Sequence, residues 1–469
     1  MILMRNIRLR GAARPAPQFV GAACGRWIFV LMAGTFSAAS LAQWESALQA
    51  CAGGALSPQQ RIGACSDALK AENISARHKA VALDNRGVAW KAQGDVDRAI
   101  EDYDRAVAAD PSFAAAYSNR GAALGSKGNL DAAMRDFDHA IQLDPKLALA
   151  YENRGALLRS RGELDAAIKD LDQAILLGRK NERCYTERAA ARQAKGDLAK
   201  AVDDLGEAIR LDPDREELFV ARGLLLDHLH DYTRSIADYD EAIRLNPSSA
   251  VAFNNRCNTW LIKEAYAQAA ADCAQALKLD PKLAQAHFNR GVLWTLSADY
   301  AKARDEFDQA IGLDPKLAPA YKGRGTMNFY SGQFDAAQSD LSQAVRLWRS
   351  DPYVAIWLYL SEARAGHPED AARDLAQNTS DTGEPWPSPV IQLYLGRTDP
   401  SGVYQAAQQG DAHTQNGRQC EAAFYIGEWY LLHGEKGQAL RRLEDAARSC
   451  PASFSESGGA RAELDRISR

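Results

Sequence analysis

Eight arginines stand at 34-residue intervals along this chain: Arg86, Arg120, Arg154, Arg188, Arg222, Arg256, Arg290 and Arg324. Sixteen residues after each comes an acid: Asp102, Asp136, Asp170, Asp204, Asp238, Asp272, Glu306 and Asp340. Guanidinium and carboxylate at a fixed offset form charge-assisted and often bidentate pairs. A catalytic group is not needed in eight copies, so the pattern reads as a structural ion-pair ladder within or between neighbouring repeats. Cysteine is the second chemistry-bearing type. Seven of the eight cysteines follow residue 42. The pairs Cys51 with Cys65, Cys257 with Cys273 and Cys420 with Cys450 are candidate disulfides, and Cys184 is left free. The alternative is that these cysteines are small core residues. The third group, His228 and His230 between Asp227 and Asp231, lacks the four well-placed ligands of a structural zinc site and reads as a polar turn. No Gly-rich phosphate loop, zinc-ligand spacing or nucleophile elbow occurs. The expectation is therefore no cofactor, no metal and no enzymatic activity. An enzyme reading would need a site in 378–420, which offers scattered acids and His413.

These residues are carried by tandem units that start at Ala80, Ala114, Ala148, Glu182, Glu216, Ala250, Ala284 and Ala318. The phrase Asn-Arg-Gly recurs at 85–87, 119–121, 153–155 and 289–291, and most units close on Asp-Pro, as at Asp110-Pro111 and Asp144-Pro145. In the second unit Tyr117, Gly121 and Leu124 fall on one helical face. Gly128 and Asn129 break it. Leu130, Ala133, Phe137, Ala140 and Ile141 then form a second face. Alanine holds one packing position in every unit, from Ala106 to Ala344. The period, the small residues and the closing proline match the tetratricopeptide repeat (TPR). The resemblance implies an all-α fold, a right-handed TPR superhelix (α-solenoid) of antiparallel helix pairs. Trp90, Trp260 and Trp294 take its large core position, and Cys257 and Cys273 replace its glycine and its aromatic.

The expected organisation is a secretory signal over 1–42, a capping helical hairpin over 43–79 and eight repeats over 80–351. A degenerate repeat and irregular helical segment follow over 352–417, then a TPR-like hairpin with a capping helix over 418–469. The first segment pairs five arginines with an apolar run from Trp27 and small residues up to Ala42, the layout of a secretory signal. The run is short for a membrane span of about 20 residues. The expected location is the periplasm, with an uncleaved inner-membrane anchor as the alternative. The formal net charge is −5, and those five arginines, with no acid beside them, leave the remainder at −10. A body of that sign is not the basic footprint of a nucleic-acid binder.

In the TPR fold the first helices line a concave groove. Here units one to four offer Asp84, Lys91, Ser118, Ala122, Glu152, Arg159, Thr186 and Gln193 to it. Units five to eight offer Leu224, Leu261, Ile262, Phe288, Val292, Leu296, Phe329 and Tyr330. The apolar half is the candidate groove for a partner peptide or helix, unless the chain's own C-terminal segment folds into it. The segments Trp386–Gly396 and Cys420–Glu428, with the Asn-Arg-Gly phrase, resemble the NlpI-type periplasmic TPR proteins. That resemblance implies a scaffold whose partners are envelope proteases or cell-wall enzymes, with a possible homodimer. The function expected is an exported adaptor between proteins, with a self-assembling structural role as the alternative.

Overall fold

The computed structural model describes residues 46–53, 56–71, 74–349, 351–379 and 386–469. The expected signal segment lies outside them. The described chain is helical, and its contacts divide it into two compact units, one ending at Asp231 and one starting at Tyr232.

The first unit opens with α1 (described over 46–52) and α2 (Pro58–Ala68), joined by a Cys51–Cys65 disulfide. Ser57 starts α2 with a capping box: its hydroxyl accepts from the Gln60 backbone N–H while the Gln60 side chain accepts from the Ser57 N–H. Helix pairs then follow in register: α3 (Ala76–Ala92) with α4 (Val96–Ala109), α5 (Ala114–Ser126) with α6 (Leu130–Leu143), α7 (Ala148–Ser160) with α8 (Leu164–Leu176), and α9 (Glu182–Lys195) with α10 (Leu198–Leu211). The unit ends with α11 (Glu216–His228).

Local chemistry sets each boundary. The pairs are separated by glycines in the left-handed region, such as Gly94, Gly128 and Gly162 at φ of 80–87°. Between pairs, Asp144 Oδ1 accepts from the Lys146 N–H at 2.9 Å and Asp110 Oδ1 from the Ser112 N–H at 3.0 Å. These Asx turns span the proline that stops the helix. Inside each pair a glycine lets the helices close. A Cβ on Gly87 would lie 2.6 Å from the Tyr103 ring, and one on Gly121 2.8 Å from Phe137.

The second unit contains α12 (Tyr232–Leu245), α13 (Ala250–Ile262), α14 (Tyr266–Leu279), α15 (Ala284–Leu296), α16 (Tyr300–Leu313), α17 (Ala318–Tyr330) and α18 (Phe334–Leu347). In the α13/α14 pair a Cys257–Cys273 disulfide occupies the place of the glycine–aromatic contact. At the turn glycine's position stand His230, Glu264 and Ala298, with φ of 58–61°. Then come α19 (Pro352–Arg364), α20 (Pro368–Asn378), α21 (Ser388–Tyr394), α22 (Pro400–Ala407), α23 (Ala412–Leu432), α24 (Lys436–Ser449) and α25 (Ser455–Ser468). Val354 to Leu360 are buried without interruption, so α19 is apolar all round and forms the core of this end. Trp357 sits at its centre, 5.2 Å from Phe329 and 5.3 Å from Phe424 between ring centroids.

One expected boundary changes here. The boundary drawn at 417/418 falls inside α23, which runs unbroken for 21 residues. Cys420 therefore lies mid-helix, because Asp411 caps the N-terminus by accepting from the Thr414 N–H at 2.8 Å. Cys420 is still bonded to Cys450. The capping helix expected at the end of the chain runs from Ser455 to Ser468.

Candidate functional site

First helices of successive repeats pack on one another, α3 on α5, α5 on α7 and α7 on α9. In the second unit α13 packs on α15 and α15 on α17. These helices thus form an inner layer in each unit, and their free faces are the surfaces a partner could enter.

Behind that layer lies the ladder. Arg154 Nε is 2.7 Å from Asp170 Oδ2, and its Nη2 is 2.9 Å from Oδ1, a bidentate pair. The same fork joins Arg86 to Asp102, Arg120 to Asp136, Arg188 to Asp204, Arg256 to Asp272 and Arg324 to Asp340. Five of these six arginines, all but Arg86, also lie against an aromatic ring of their own helix, as Arg154 does on Tyr151 at 5.7 Å. A second acid completes the pattern. Arg120, Arg154, Arg188, Arg256 and Arg324 each reach back sixteen residues to Asp104, Asp138, Asp172, Asp240 and Asp308 of the preceding repeat. One guanidinium therefore closes its own hairpin and ties it to the previous one. In repeat seven the acid is Glu306, bound by Arg290 at 2.7 Å and by His287 at 2.8 Å. There Ala274 stands at the second acid's position. Arg222 and Asp238 belong to different units.

The apolar candidates divide. Phe329 and Tyr330 are buried under the C-terminal helices. Tyr330 donates its hydroxyl to the Ser455 carbonyl, and Arg466 Nη2 donates to the carbonyls of Phe329 and Tyr330 at 3.0 and 3.1 Å. Gly458 of α25 lies against the Tyr330 ring, where a Cβ would come within 2.8 Å. These two residues are therefore not groove surface: α25 occupies the inner face of α17. Phe288 is core as well, 5.9 Å from Phe307 between centroids. Leu261 is buried in the cluster around the Cys257–Cys273 bridge, against Val292 and Leu296. Ile262, Val292 and Leu296 remain partly exposed, as does Leu224 in the first unit.

Ionised groups hold α25 down. Arg364 bridges Glu428 at 3.0 Å and Glu463 at 3.1 Å, and Glu463 also pairs with Arg466. Burial pushes the Glu428 carboxyl up, and neighbouring Glu463 adds to that, while Arg364 and Arg466 oppose it. Burial likewise raises Glu421, with Glu456 adding to it, against hydrogen bonds from Trp386 and Tyr353. In α19, Glu362 is pushed up to about 7, first by burial and then by Asp374 of α20. These shifted acids are tied into packing contacts.

The inner face of the first unit is polar. Asn119 Nδ2 donates to Asp84 Oδ1 at 2.9 Å, and Asn153 Nδ2 to Ser118 Oγ at 3.4 Å. Glu152 is fully buried and accepts from Arg179, from Asn181 at 3.2 Å and from Arg183 at 3.1 Å. Arg159 bonds Glu187 at 2.6 Å. Burial pushes Asp84 up to about 6, although Asn119 and Arg77 pull it down. Ala122, Thr186 and Gln193 lie half-exposed beside them.

His228 and His230 are exposed at the end of α11. Among the described residues no group of three or more His, Cys, Asp or Glu side chains is placed to hold a metal ion. No described helix is long and apolar enough to cross a membrane. Cys184 is buried and unbridged, and burial raises its thiol far above the ordinary range.

Sequence profiles of the tetratricopeptide repeat match residues 114–147, and 186–250 with 264–318; a related TPR-repeat profile matches 87–128. No curated protein sequence matches the chain. Among solved structures, a Pseudomonas aeruginosa pilF structure is 18% identical, with 44% of this chain and 95% of that one covered and a TM-score of 0.40. YrrB, described as a TPR protein with an unusual peptide-binding site, is 21% identical over 40% of this chain and 96% of its own, at 0.38. A tetratricopeptide repeat protein from Parabacteroides merdae is 19% identical over 60% and 96%, at 0.35.

Proposed function

Because the chain is a tetratricopeptide-repeat protein, we propose that it is an exported scaffold that binds other proteins on the inner face of its first helices. The inner layer of α3, α5, α7 and α9 carries this reading. Its arginines Arg86, Arg120, Arg154 and Arg188 turn to the second helices and pair with their aspartates, while Asp84, Ser118, Asn119 and Asn153 form a separate polar row linking successive first helices. Export is supported by the arginine-rich, apolar start of the chain. Three disulfides, each closing one helix pair, also belong to an oxidising compartment. The likeness of 386–396 and 420–428 to NlpI-type tails directs the partner search to envelope proteases and cell-wall enzymes.

Cell fractionation with N-terminal sequencing and thiol counting tests the export half. The reading expects periplasmic protein beginning at Gln43, with Cys184 as its only reactive thiol after unfolding. A cytoplasmic protein with seven free thiols after residue 42 would refute export. Crosslinking pulldown from the envelope, with wild type against Ile262→Ser, Val292→Ser and Leu296→Ser combined, tests the inner face of repeats six and seven. Loss of capture at unchanged melting temperature would assign that face. Unchanged capture would move the site to the first unit.

A further inference from the structure

The inner face of α17 is covered by α25, and the seat of that cover is rich in carboxyl groups. Glu421 and Glu428 stand seven residues apart on α23, and Glu456 and Glu463 seven apart on α25. That spacing is about two turns, so each helix carries its pair on one face. The two helices pack on one another, and α25 packs on α17 as well. Glu428, Glu456 and Glu463 are at most 4% exposed, and Glu421 is partly buried. Arg364 of α19 holds Glu428 at 3.0 Å and Glu463 at 3.1 Å, and Arg466 adds a second guanidinium to Glu463. Among the described residues the donors to the other two acids are neutral. Glu421 accepts from the Trp386 indole at 2.6 Å and the Tyr353 hydroxyl at 2.9 Å. Glu456 accepts from the Tyr425 hydroxyl at 2.5 Å and from Ser455 Oγ at 3.2 Å. The other charges around the seat are met elsewhere. Lys322 of α17 pairs with Asp351 at 3.0 Å, Arg324 of α17 with Asp340 of α18, and Arg442 and Arg448 of α24 with Asp445. Glu362 of α19 accepts from Gln338 of α18 at 3.3 Å, and Arg461 and Asp465 of α25 are exposed. Four carboxyls thus share two guanidiniums. Fully ionised, they would bury an excess of negative charge, and a carboxylate buried without a cation takes up a proton instead. Glu428 Oε1, Ser457 Oγ of α25 and Trp357 Nε1 find no hydrogen-bond partner among the described residues, and the Trp357 ring lies 3.1 Å from where a Cβ on Gly459 of α25 would stand. Orphaned polar atoms of this kind weaken the hold of the seat on the helix.

We propose that α25 is a proton-controlled latch on the inner face of α17: it stays seated while the glutamates beneath it hold protons, and detaches when they ionise, uncovering Phe329 and Tyr330. This goes beyond the scaffold reading and does not need it, because the latch belongs to a single chain. The sign follows from burial. Burial, and then the facing acid, raise the Glu421 and Glu428 carboxyls above their ordinary 4.5. A carboxyl raised in the folded state contributes fully below its ordinary value, and that contribution is lost as the pH rises through the raised one. Acid therefore closes the latch and alkali opens it.

Hydrogen exchange of the purified full chain, read by mass spectrometry at pH 6 and pH 9 with the intrinsic pH dependence of exchange divided out, tests this. The expected result is that protection of α25 falls by about tenfold or more between the two, while α5, α6, α7 and α8 of the first unit keep theirs. Glu421→Gln and Glu456→Gln each fix one carboxyl in an uncharged form of the same shape, and each should shrink the fall while leaving α25 protected at pH 6. Equal protection of α25 at both pH values, or a fall of undiminished size in both variants, would overturn the proposal. So would a fall shared by α5 to α8, which would be unfolding of the whole array. Loss of α25 in both variants already at pH 6 would overturn it too, because the seat would then need its carboxylates ionised. None of these outcomes bears on whether partner proteins are captured, which the pulldown reads separately.

Discussion

Arg154 serves two repeats, and its contacts differ enough to be separated by mutation. Its fork to Asp170 closes the α7/α8 hairpin and is mostly out of water, with side-chain exposures of 22% and 8%. Its third bond goes back to Asp138 of the preceding repeat, which is 45% exposed. Removing one partner of a buried pair costs about 3–5 kcal/mol because the other charge is stranded. The partly wet guanidinium places Arg154→Ala near the lower end, about 3 kcal/mol. Asp170→Asn leaves Arg154 with Asp138 and solvent, and should cost about 2 kcal/mol. Asp138→Asn breaks an exposed contact, worth less than about 1 kcal/mol. Arg154→Lys keeps the charge but not the fork, and should fall between Arg154→Ala and wild type. A repeat array does not have to unfold in one step. Urea denaturation by circular dichroism should therefore be paired with hydrogen exchange, which reads α7 and α8 directly. The order Arg154→Ala, Asp170→Asn, Asp138→Asn is the prediction. Equal losses for the two aspartates, or less than about 0.5 kcal/mol for Arg154→Ala, would refute the ladder as a stabilising device.

Other consequences are as direct. Ala298 holds a left-handed turn at φ 58°, so Ala298→Gly should raise stability by about 1 kcal/mol in thermal unfolding; a loss would show that the turn is not strained. Glu362 is raised from an ordinary 4.5 to about 7. A carboxyl whose folded value is raised binds its proton more tightly in the folded state. Its contribution is full below about pH 4.5 and is lost as the pH rises through about 7. Glu362→Gln should therefore melt higher than wild type at pH 8 and close to it at pH 4.5, and the reverse order would contradict the assignment. The Cys257–Cys273 bridge closes a separation of 16 residues, so replacing both cysteines with alanine should cost about 3 kcal/mol in urea titrations. An unchanged midpoint would mean that the bridge does not form in solution.

The repeat was legible because one 34-residue period fixes both halves of every hairpin. Arg154 and Asp170 are two fixed points of that period, so their meeting follows from antiparallel packing. The second acid was visible but not read: Asp102 and Asp104, Asp136 and Asp138, and Asp170 and Asp172 recur two apart, a half-turn signal facing the next repeat. The fate of the apolar face was not legible. Phe329 and Tyr330 look the same in sequence whether a foreign helix or the chain's own α25 covers them, because apolarity specifies burial without naming the partner. The repeat-like phrase begins at Cys420, but the helix that carries it does not. Asp411 and Thr414, the cap that starts α23, lie upstream of that pattern.

The central claim is that proteins are bound on the inner face of the first helices. Photo-crosslinking in living cells, from a reactive amino acid placed in turn at Val88, Ser126 and Gln193 on the inner helices and at Arg98 and Lys169 on the outer ones, tests it most directly. The account predicts that the same partner proteins are trapped from the inner positions and not from the outer ones. Partners trapped from Arg98 and Lys169 alone, or only a second copy of this chain trapped from every position, would contradict it.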